Sequence, residues 1–123
     1  LQDATSPTAA PMTVPDDRAL HALSQDLGER LRAARHRLVT AESCTGGWIA
    51  KAVTDIAGSS DWFDCGLAAY SYEAKQALLG VRPETLERSG AVSRETVLEM
   101  VSGALAPSSS ATPAPITGTE SPM

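Results

Sequence analysis

Apolar residues between positions 17 and 35 recur at intervals of three and four, the spacing of one face of an amphipathic helix. They are Leu20, Leu23, Leu27 and Leu31. Asp16 or Asp17 stands just before them, where a short acidic side chain can cap the first helical turn. The pattern therefore predicts a first helix over residues 17–35.

Two runs of β-favouring residues follow, at 37–41 and 65–71, and the second is apolar enough to predict a buried strand. Helical spacing resumes between and after them, with Gly58 and Gly80 as stop signals. The helical segments are 45–57, 72–79, 83–88 and 93–105. Strands that alternate with helices of this length are typical of an α/β layered sheet, so the two strands are predicted to be neighbours in it.

The two ends of the chain differ in composition from the middle. Residues 1–15 and 107–123 are rich in Pro, Ser and Thr and show no hydrophobic periodicity. Such segments cannot bury enough apolar surface to offset the entropy that is lost on ordering. Both are predicted to be disordered tails, which leaves residues 16–106 as the folded region.

Charge and composition exclude several classes of protein. A net charge of -5 and a pI near 4.9 argue against a nucleic-acid-binding surface, which needs clustered Lys and Arg. No apolar run approaches the roughly 18–20 residues that span a bilayer. The first residues also lack the basic and apolar regions of a secretory signal. The sequence therefore predicts a cytoplasmic protein that binds neither nucleic acid nor membrane.

Cysteine and histidine give no sign of a metal or redox centre. Cys44 and Cys65 are too few and too far apart for a zinc site or a redox pair, so both are predicted to be reduced and buried. His21 and His36 do not have the spacing of metal ligands. No metal is expected.

Small polar residues lie between the first predicted strand and the next helix. They read Glu42-Ser43-Cys44-Thr45-Gly46-Gly47. Backbone N–H groups at such a junction can hold an anion or an oxyanion, and Ser43 there is a candidate nucleophile. An ordinary tight turn with a capping hydroxyl fits the same residues. The glycine patterns of dinucleotide-binding folds and of P-loops are missing, so neither is supported.

A serine nucleophile needs a base, and Lys75 is the candidate. It lies in the first turn of the predicted helix at 72–79, where the positive end of the helix dipole disfavours an ammonium group. If the side chain is also buried, the uncharged amine is favoured and can accept a proton. A solvated surface lysine is the alternative. Both histidines lie upstream, on or beside a helix predicted to be solvated.

Four short motifs occur in order between residues 38 and 105. They are TAESCTGG at 40–47, GSS at 58–60, YSYEAK at 70–75 and GAVS at 90–93. Through these motifs the chain resembles the first half of the CinA C-terminal domain family. The resemblance implies a three-layer α/β/α sandwich that is incomplete at its C-terminus, with residues 16–106 forming the N-terminal half of the domain.

The resemblance also implies an activity, the hydrolysis of nicotinamide mononucleotide to nicotinate mononucleotide and ammonia in pyridine nucleotide salvage. Carried over, Ser43 is the nucleophile and Lys75 its base, and Tyr70 assists by hydrogen bonding, as does Ser60. The implied substrate-binding residues are Glu42, Cys44, Thr45, Gly46, Gly47, Ser59, Ser60 and Ser71. The implied partner is this nucleotide, with no cofactor, and a homo-oligomer is left open. Tyr72 stands where the family usually has Asn.

The chain departs from the family pattern after Leu105. The family continues with a buried strand and then a glycine-rich loop. In this chain, only residues 116–118 resemble the start of that loop. The prolines at 113 and 115 cannot donate to a sheet ladder. A frameshift and a truncated paralogue are alternative explanations of this departure.

Two functions remain open, an amidohydrolase and an inactive remnant that serves at most as an interaction module. The chain alone is expected to have little activity.

Overall fold

Two parallel strands organise the described part of the chain. The computed structural model describes residues 13–106, so most of the predicted N-terminal tail and all of 107–123 lie outside the described residues. Strand β1 (Leu38–Glu42) pairs with strand β2 (Phe63–Ala68) from the couple Leu38–Phe63 to the couple Glu42–Ala68. The prediction of two adjacent strands in an α/β fold is confirmed.

In residues 13–106, five α-helices lie around this sheet. They are α1 (Asp17–Ala34), α2 (Trp48–Thr54), α3 (Tyr72–Leu79), α4 (Pro83–Ser89) and α5 (Arg94–Leu105), and a 3-10 turn spans Ser59–Asp61. Side-chain caps explain several of the starts. Asp16 accepts from the amide of Ala19 at 2.8 Å, as predicted for α1, and Ser93 accepts from the amide of Thr96 at 3.1 Å at the start of α5. None of the helices in residues 13–106 is long and apolar enough to cross a membrane.

Helix α2 is shorter than the predicted 45–57. Cys44, Gly46 and Gly47 all have positive φ, between 68° and 99°, which a right-handed helix does not admit. At the other end Gly58 also has a positive φ, and the turn that precedes it ends the helix at Thr54. The glycines were readable from the sequence, but the left-handed conformation of Cys44 was not.

Strand β2 starts and ends earlier than the predicted 65–71 and is not buried. The strand includes Phe63 and Asp64 because Phe63 pairs with Leu38 of β1. The Asp64 carboxylate lies 3.5 Å from the Arg37 guanidinium. The strand stops at Ala68 because Ser71 already caps α3. Within residues 13–106, β2 is hydrogen-bonded to β1 alone, and its residues are half-buried or exposed. The prediction that Cys44 and Cys65 are buried is also wrong, because both residues are exposed.

The alternation of side chains along the strands separates two helical layers. Thr40 and Glu42 face α2, where Glu42 contacts the backbone of the helix. Ala41 and Leu67 face the opposite side and pack against a buried cluster that joins α3, α4 and α5. That cluster consists of Ala69, Leu79, Val81, Leu86 and Met100. The sheet therefore lies between helices on both faces, with the carboxyl ends of both strands at one edge.

Candidate functional site

The loop after β1 holds Ser43 beside a strained turn. The amide of Thr45 donates to the carbonyl of Ser43 at 2.7 Å, which closes a three-residue turn with Cys44 at its centre. Cys44 has a φ of 69°, a region that residues other than glycine seldom enter. Backbone strain of this kind costs on the order of 1–3 kcal/mol and tends to occur at functional sites. The Ser43 hydroxyl lies 3.8 Å from the Cys44 thiol.

Unused backbone donors surround this turn. Within residues 13–106, the N–H groups of Cys44, Gly46 and Gly47 donate to no acceptor. A side chain built on Gly46 or Gly47 would meet nothing within 4 Å, so the space in front of both glycines is open. Free amides beside a serine hydroxyl can receive the oxygen of a tetrahedral intermediate.

Glu42 is the last residue of β1 and is buried, with 4% of its surface exposed. Its Oε1 accepts from the Thr45 hydroxyl at 2.7 Å and from the amide of Ile49 at 2.8 Å, and its Oε2 accepts from the amide of Ala50 at 2.9 Å. Burial acts to raise the pKa of the carboxyl, but these three hydrogen bonds together outweigh burial and hold the pKa below its ordinary value. Glu42 is therefore an anion at neutral pH.

Lys75 is the second buried charge in this region, with 1% of its surface exposed. Its Nζ donates to the backbone carbonyl of Tyr70 at 2.6 Å and lies 5.9 Å from the centre of the Tyr72 ring. No carboxylate within residues 13–106 pairs with it. A buried ammonium without an anionic partner is costly, so the fold keeps this amine in place against a desolvation penalty.

The structure brings some candidate residues together and separates others. Ser43 follows β1 and Tyr70 and Lys75 follow β2, so all three lie at the carboxyl edge of the sheet, where open α/β sheets bind ligands. The Tyr70 side chain is 75% exposed, and Lys75 contacts the carbonyl of this residue and not its hydroxyl. Within residues 13–106, no hydrogen bond joins the Ser43 hydroxyl to either residue.

The serines named as substrate-binding candidates lie elsewhere or have other partners. Ser59 and Ser60 belong to the turn before β2, at the amino edge of the sheet, and the Ser59 hydroxyl donates to the carbonyl of Thr54 at 3.5 Å. Since a strand rises about 3.3 Å per residue, the length of β2 separates both from Ser43. The Ser71 hydroxyl accepts from the amide of Ala74 at 3.0 Å and caps α3.

An apolar surface feature borders the candidate site. An apolar groove of about 350 Å³ lies between α1 and α2, and Thr45 is the one candidate residue among those that line it. Its lining also includes Trp48 and Ile49, both more than half exposed. In the described part of the chain, no three His, Cys, Asp or Glu side chains gather into a set that could hold a metal ion.

The role of Glu42 is the feature that sequence reasoning missed. The signal was present, because an acidic residue ended a β-favouring run and stood two positions after Thr40, on the same face of the strand. What the sequence lacked was the position of α2, whose first amides come to that face only after the turn at Cys44. The carboxylate therefore caps a helix that begins six residues later.

Comparison with known proteins agrees with this arrangement. The model of the CinA C-terminal domain matches residues 20–123, and so includes the segment after Leu105 where sequence reasoning had recognised only residues 116–118. The nicotinamide-nucleotide amidohydrolase PncC of Escherichia coli K12 is 55% identical over 89 residues, which cover 72% of this chain and 54% of that protein. The chain thus spans about half the length of this curated relative.

One further relative and two solved structures also match this chain. A CinA-like protein of Chloroherpeton thalassium is 52% identical over 83 residues, which cover 68% of this chain and 20% of that protein. The crystal structure of a competence/damage inducible protein from Agrobacterium tumefaciens superposes with a TM-score of 0.70 at 44% identity, covering 77% of this chain and 56% of that one. A CinA superfamily protein from Escherichia coli superposes with a TM-score of 0.71 at 35% identity, covering 76% of this chain and 55% of that one.

Proposed function

The chain belongs to the CinA C-terminal domain family, and we propose that it supplies the nucleophile and the base of an amidohydrolase that acts on nicotinamide mononucleotide. The reaction takes the carboxamide of the pyridine ring and water to a carboxylate and ammonia. Ser43 is the nucleophile and Lys75 the base. No cofactor or metal is required, because the serine, the amine and the backbone amides can do this chemistry together.

The single observation that carries the proposal is the burial of Lys75. The residue has 1% of its surface exposed, has no carboxylate partner within residues 13–106, and follows β2 at the same sheet edge at which Ser43 follows β1. A surface lysine would fit the sequence equally well but would not bear this desolvation. In the proposed reaction Lys75 acts as the base in its uncharged form, which can take a proton from a hydroxyl.

In the proposed reaction, Ser43 Oγ attacks the carboxamide carbon while its proton passes to Lys75 Nζ. The oxygen of the tetrahedral intermediate is received by the free amides of Cys44 and Gly46. Lys75 then gives the proton to the departing nitrogen, which leaves as ammonia, and an ester on Ser43 remains. Water attacks the ester with Lys75 again as base, which releases nicotinate mononucleotide and restores the serine. Substrate binding has to bring Ser43 and Lys75 into direct contact or into contact through one water.

The test is ammonia release from nicotinamide mononucleotide by two preparations. One is the 123-residue chain, and the other, called the fusion below, joins residues 1–106 to the part of Escherichia coli PncC that follows the matched stretch. Release that is abolished by Ser43→Ala and by Lys75→Met is the expected result. If neither preparation releases ammonia, or if Ser43→Ala retains full activity, the proposal is wrong.

A second candidate function, association with another protein by an inactive chain, is favoured by the outer face of α5. That face carries apolar residues that are each at least 46% exposed, namely Val97, Leu98, Val101 and Leu105. Contiguous exposed apolar residues often mark an interaction surface. Sedimentation analysis separates the two functions, because association without ammonia release from either preparation would favour this second candidate.

A further inference from the structure

The contacts of Glu42 differ from those of a residue that binds substrate. Its two carboxylate oxygens accept three hydrogen bonds from Thr45, Ile49 and Ala50, and 4% of its surface is exposed. A substrate group would have to displace one of these donors to reach it. From this geometry we infer that Glu42 is a positioning residue, which holds the loop of residues 43–47 in the conformation that the proposed reaction needs.

The three donors come from the middle of that loop and from the helix that follows it. Thr45 lies in its middle, next to the turn that carries Cys44, while Ile49 and Ala50 belong to the first turn of α2. One carboxylate at the end of β1 thus ties the loop and the helix start to the sheet. The ties also offset the strain at Cys44, whose φ of 69° would otherwise relax to a commoner conformation.

The consequence for chemistry is local, and it rests on the proposed function. The amides of Cys44 and Gly46 can receive an oxyanion only while Cys44 keeps its left-handed conformation, because rotation about this residue turns both amides. Loss of one donor of this type costs about 100- to 1,000-fold in kcat. A displacement of about 1 Å of a reacting group can cost about 100-fold.

Glu42→Gln is the sharpest variant, because the side chain keeps its size and shape. An amide has one acceptor oxygen and one NH2 group, whereas Glu42 accepts backbone N–H bonds on both oxygens. Either orientation of the Gln amide therefore sets its NH2 group against a backbone N–H, that of Ile49 or that of Ala50. The variant therefore removes a hydrogen bond between the Glu42 side chain and α2 without leaving a cavity.

Glu99→Gln is the matched control. Glu99 on α5 accepts from the amide of Arg82 at 2.9 Å and from the Thr85 hydroxyl at 2.7 Å, so it ties the start of α4 in the way that Glu42 ties the start of α2. It has no contact with the loop of residues 43–47. Its substitution removes a carboxylate of the same kind, together with its ion pair to Arg82, and leaves the proposed chemistry untouched.

The first measurement is made on the full 123-residue chain by NMR. We expect Glu42→Gln to raise amide hydrogen exchange at Ile49 or at Ala50 by at least about 10-fold, which corresponds to the loss of one hydrogen bond of about 1.4 kcal/mol. We also expect it to change the φ-dependent HN–Hα coupling of Cys44. Glu99→Gln should change neither. If exchange and coupling in Glu42→Gln equal those of the parent, the inference is wrong.

The second measurement is steady-state kinetics in whichever preparation releases ammonia from nicotinamide mononucleotide. Glu42→Gln should lower kcat about 100-fold with KM within about 3-fold, and Glu99→Gln should keep the parent kcat. A raised KM at unchanged kcat would show instead that Glu42 contacts substrate. If neither preparation releases ammonia, the proposed function fails, and the NMR data alone decide whether Glu42 holds the loop.

A further variant covers the case in which Glu42→Gln does not fold. Thr45→Val removes one of the three donors from an exposed position and keeps the shape of the side chain. It should change the Cys44 coupling in the same direction as Glu42→Gln and by a smaller amount. An unchanged coupling in a folded Thr45→Val protein would count against the inference.

Discussion

Lys75 and Glu42 are charged side chains that the fold buries within one region of the molecule, and they bear this burial differently. Glu42 is surrounded by three donors, so its charge is compensated. The Lys75 amine contacts one neutral carbonyl and the face of an aromatic ring, so its charge is not compensated. The difference indicates that Glu42 stabilises the local structure, whereas the burial of Lys75 opposes stability.

Replacing Lys75 with Met should therefore raise stability while it abolishes the proposed activity. Removal of a buried ammonium relieves a desolvation penalty of several kcal/mol and loses one hydrogen bond of about 1.5–3 kcal/mol. We expect Lys75→Met to raise the free energy of unfolding by about 1 kcal/mol in urea titration. Lys51→Met, at an exposed lysine paired with Asp55, should change it by less than about 0.5 kcal/mol. Destabilisation of Lys75→Met by more than about 2 kcal/mol would mean that the lysine is structural.

At the residue scale, the sequence could predict which residues are candidates for the chemistry, from their type and their place along the chain. The helix spacing and the position after a strand identified Ser43 and Lys75 as candidates. The burial of Lys75 and the three bonds to Glu42 depend on side chains and helix ends that meet only in three dimensions. The left-handed turn at Cys44 was also hidden, because cysteine carries no preference for that conformation.

At the scale of the elements, one glycine determines how closely two helices approach. Gly103 on α5 lies against the end of α3, and a Cβ at this position would overlap the carbonyl oxygen of Leu79. The neighbour is backbone, so it cannot turn away as a side chain does. Sequence periodicity predicted both helices, but it could not show that this glycine is a contact point and not merely a weak helix former.

Gly103→Ala should accordingly destabilise the fold, even though Ala favours a helix by about 1 kcal/mol over Gly. Separation of α3 from α5 disturbs the cluster around Leu79 and Met100, and overpacking of this kind costs about 1–3 kcal/mol or more. We expect a net loss of about 2 kcal/mol, measured by urea unfolding. Ser102→Ala, at the exposed neighbouring position, is the control and should be neutral or slightly stabilising. Unchanged stability of Gly103→Ala would show that the helices can move apart freely.

Two carboxylates that cap helices should make stability depend on pH in the acidic range. The amide of Arg82 and the hydroxyl of Thr85 lower the pKa of Glu99, and the bonds to Glu42 lower its pKa against the effect of burial. With folded pKa values below the unfolded value of about 4.3, the unfolded state binds more protons in this window. The contribution is complete above the unfolded pKa and is lost as pH falls through the folded pKa.

The free energy of unfolding should therefore fall between about pH 5 and pH 3. The decline should be shallower in Glu42→Gln and in Glu99→Gln than in the parent, and shallowest when both are combined. Glu29→Gln serves as the control, because that carboxylate accepts no hydrogen bond from another residue in the range 13–106 and is exposed. Urea titrations at several pH values measure the slopes. Parallel profiles for the parent and the double variant would contradict the role of these two caps.

At the scale of the whole molecule, the two strands differ in how well they are covered. Helices α2 and α5 pack on β1, whereas most positions of β2 are exposed, and each strand has one edge without a hydrogen-bonded neighbour in the described residues. The outer face of α5 is apolar and exposed as well. An open strand edge and exposed apolar residues each favour association with further chain. This chain covers 55–56% of the two solved relatives described, so both contain further chain beyond the matched part.

These features lead to a comparison between the 123-residue chain and the fusion. Ser43 and Lys75 already lie at the carboxyl edge of the sheet. However, each strand is paired only with the other in the described residues, and a sheet of two strands does not hold a substrate in place between these side chains. Further strands on the β2 edge would fix that strand, and with it Tyr70 and Lys75, relative to the loop that carries Ser43. Because a misplacement of about 1 Å can cost about 100-fold, we expect the fusion to release ammonia from nicotinamide mononucleotide at least about 100-fold faster than the chain alone. Equal rates, both abolished by Ser43→Ala, would mean that the described half of the fold is sufficient for the chemistry.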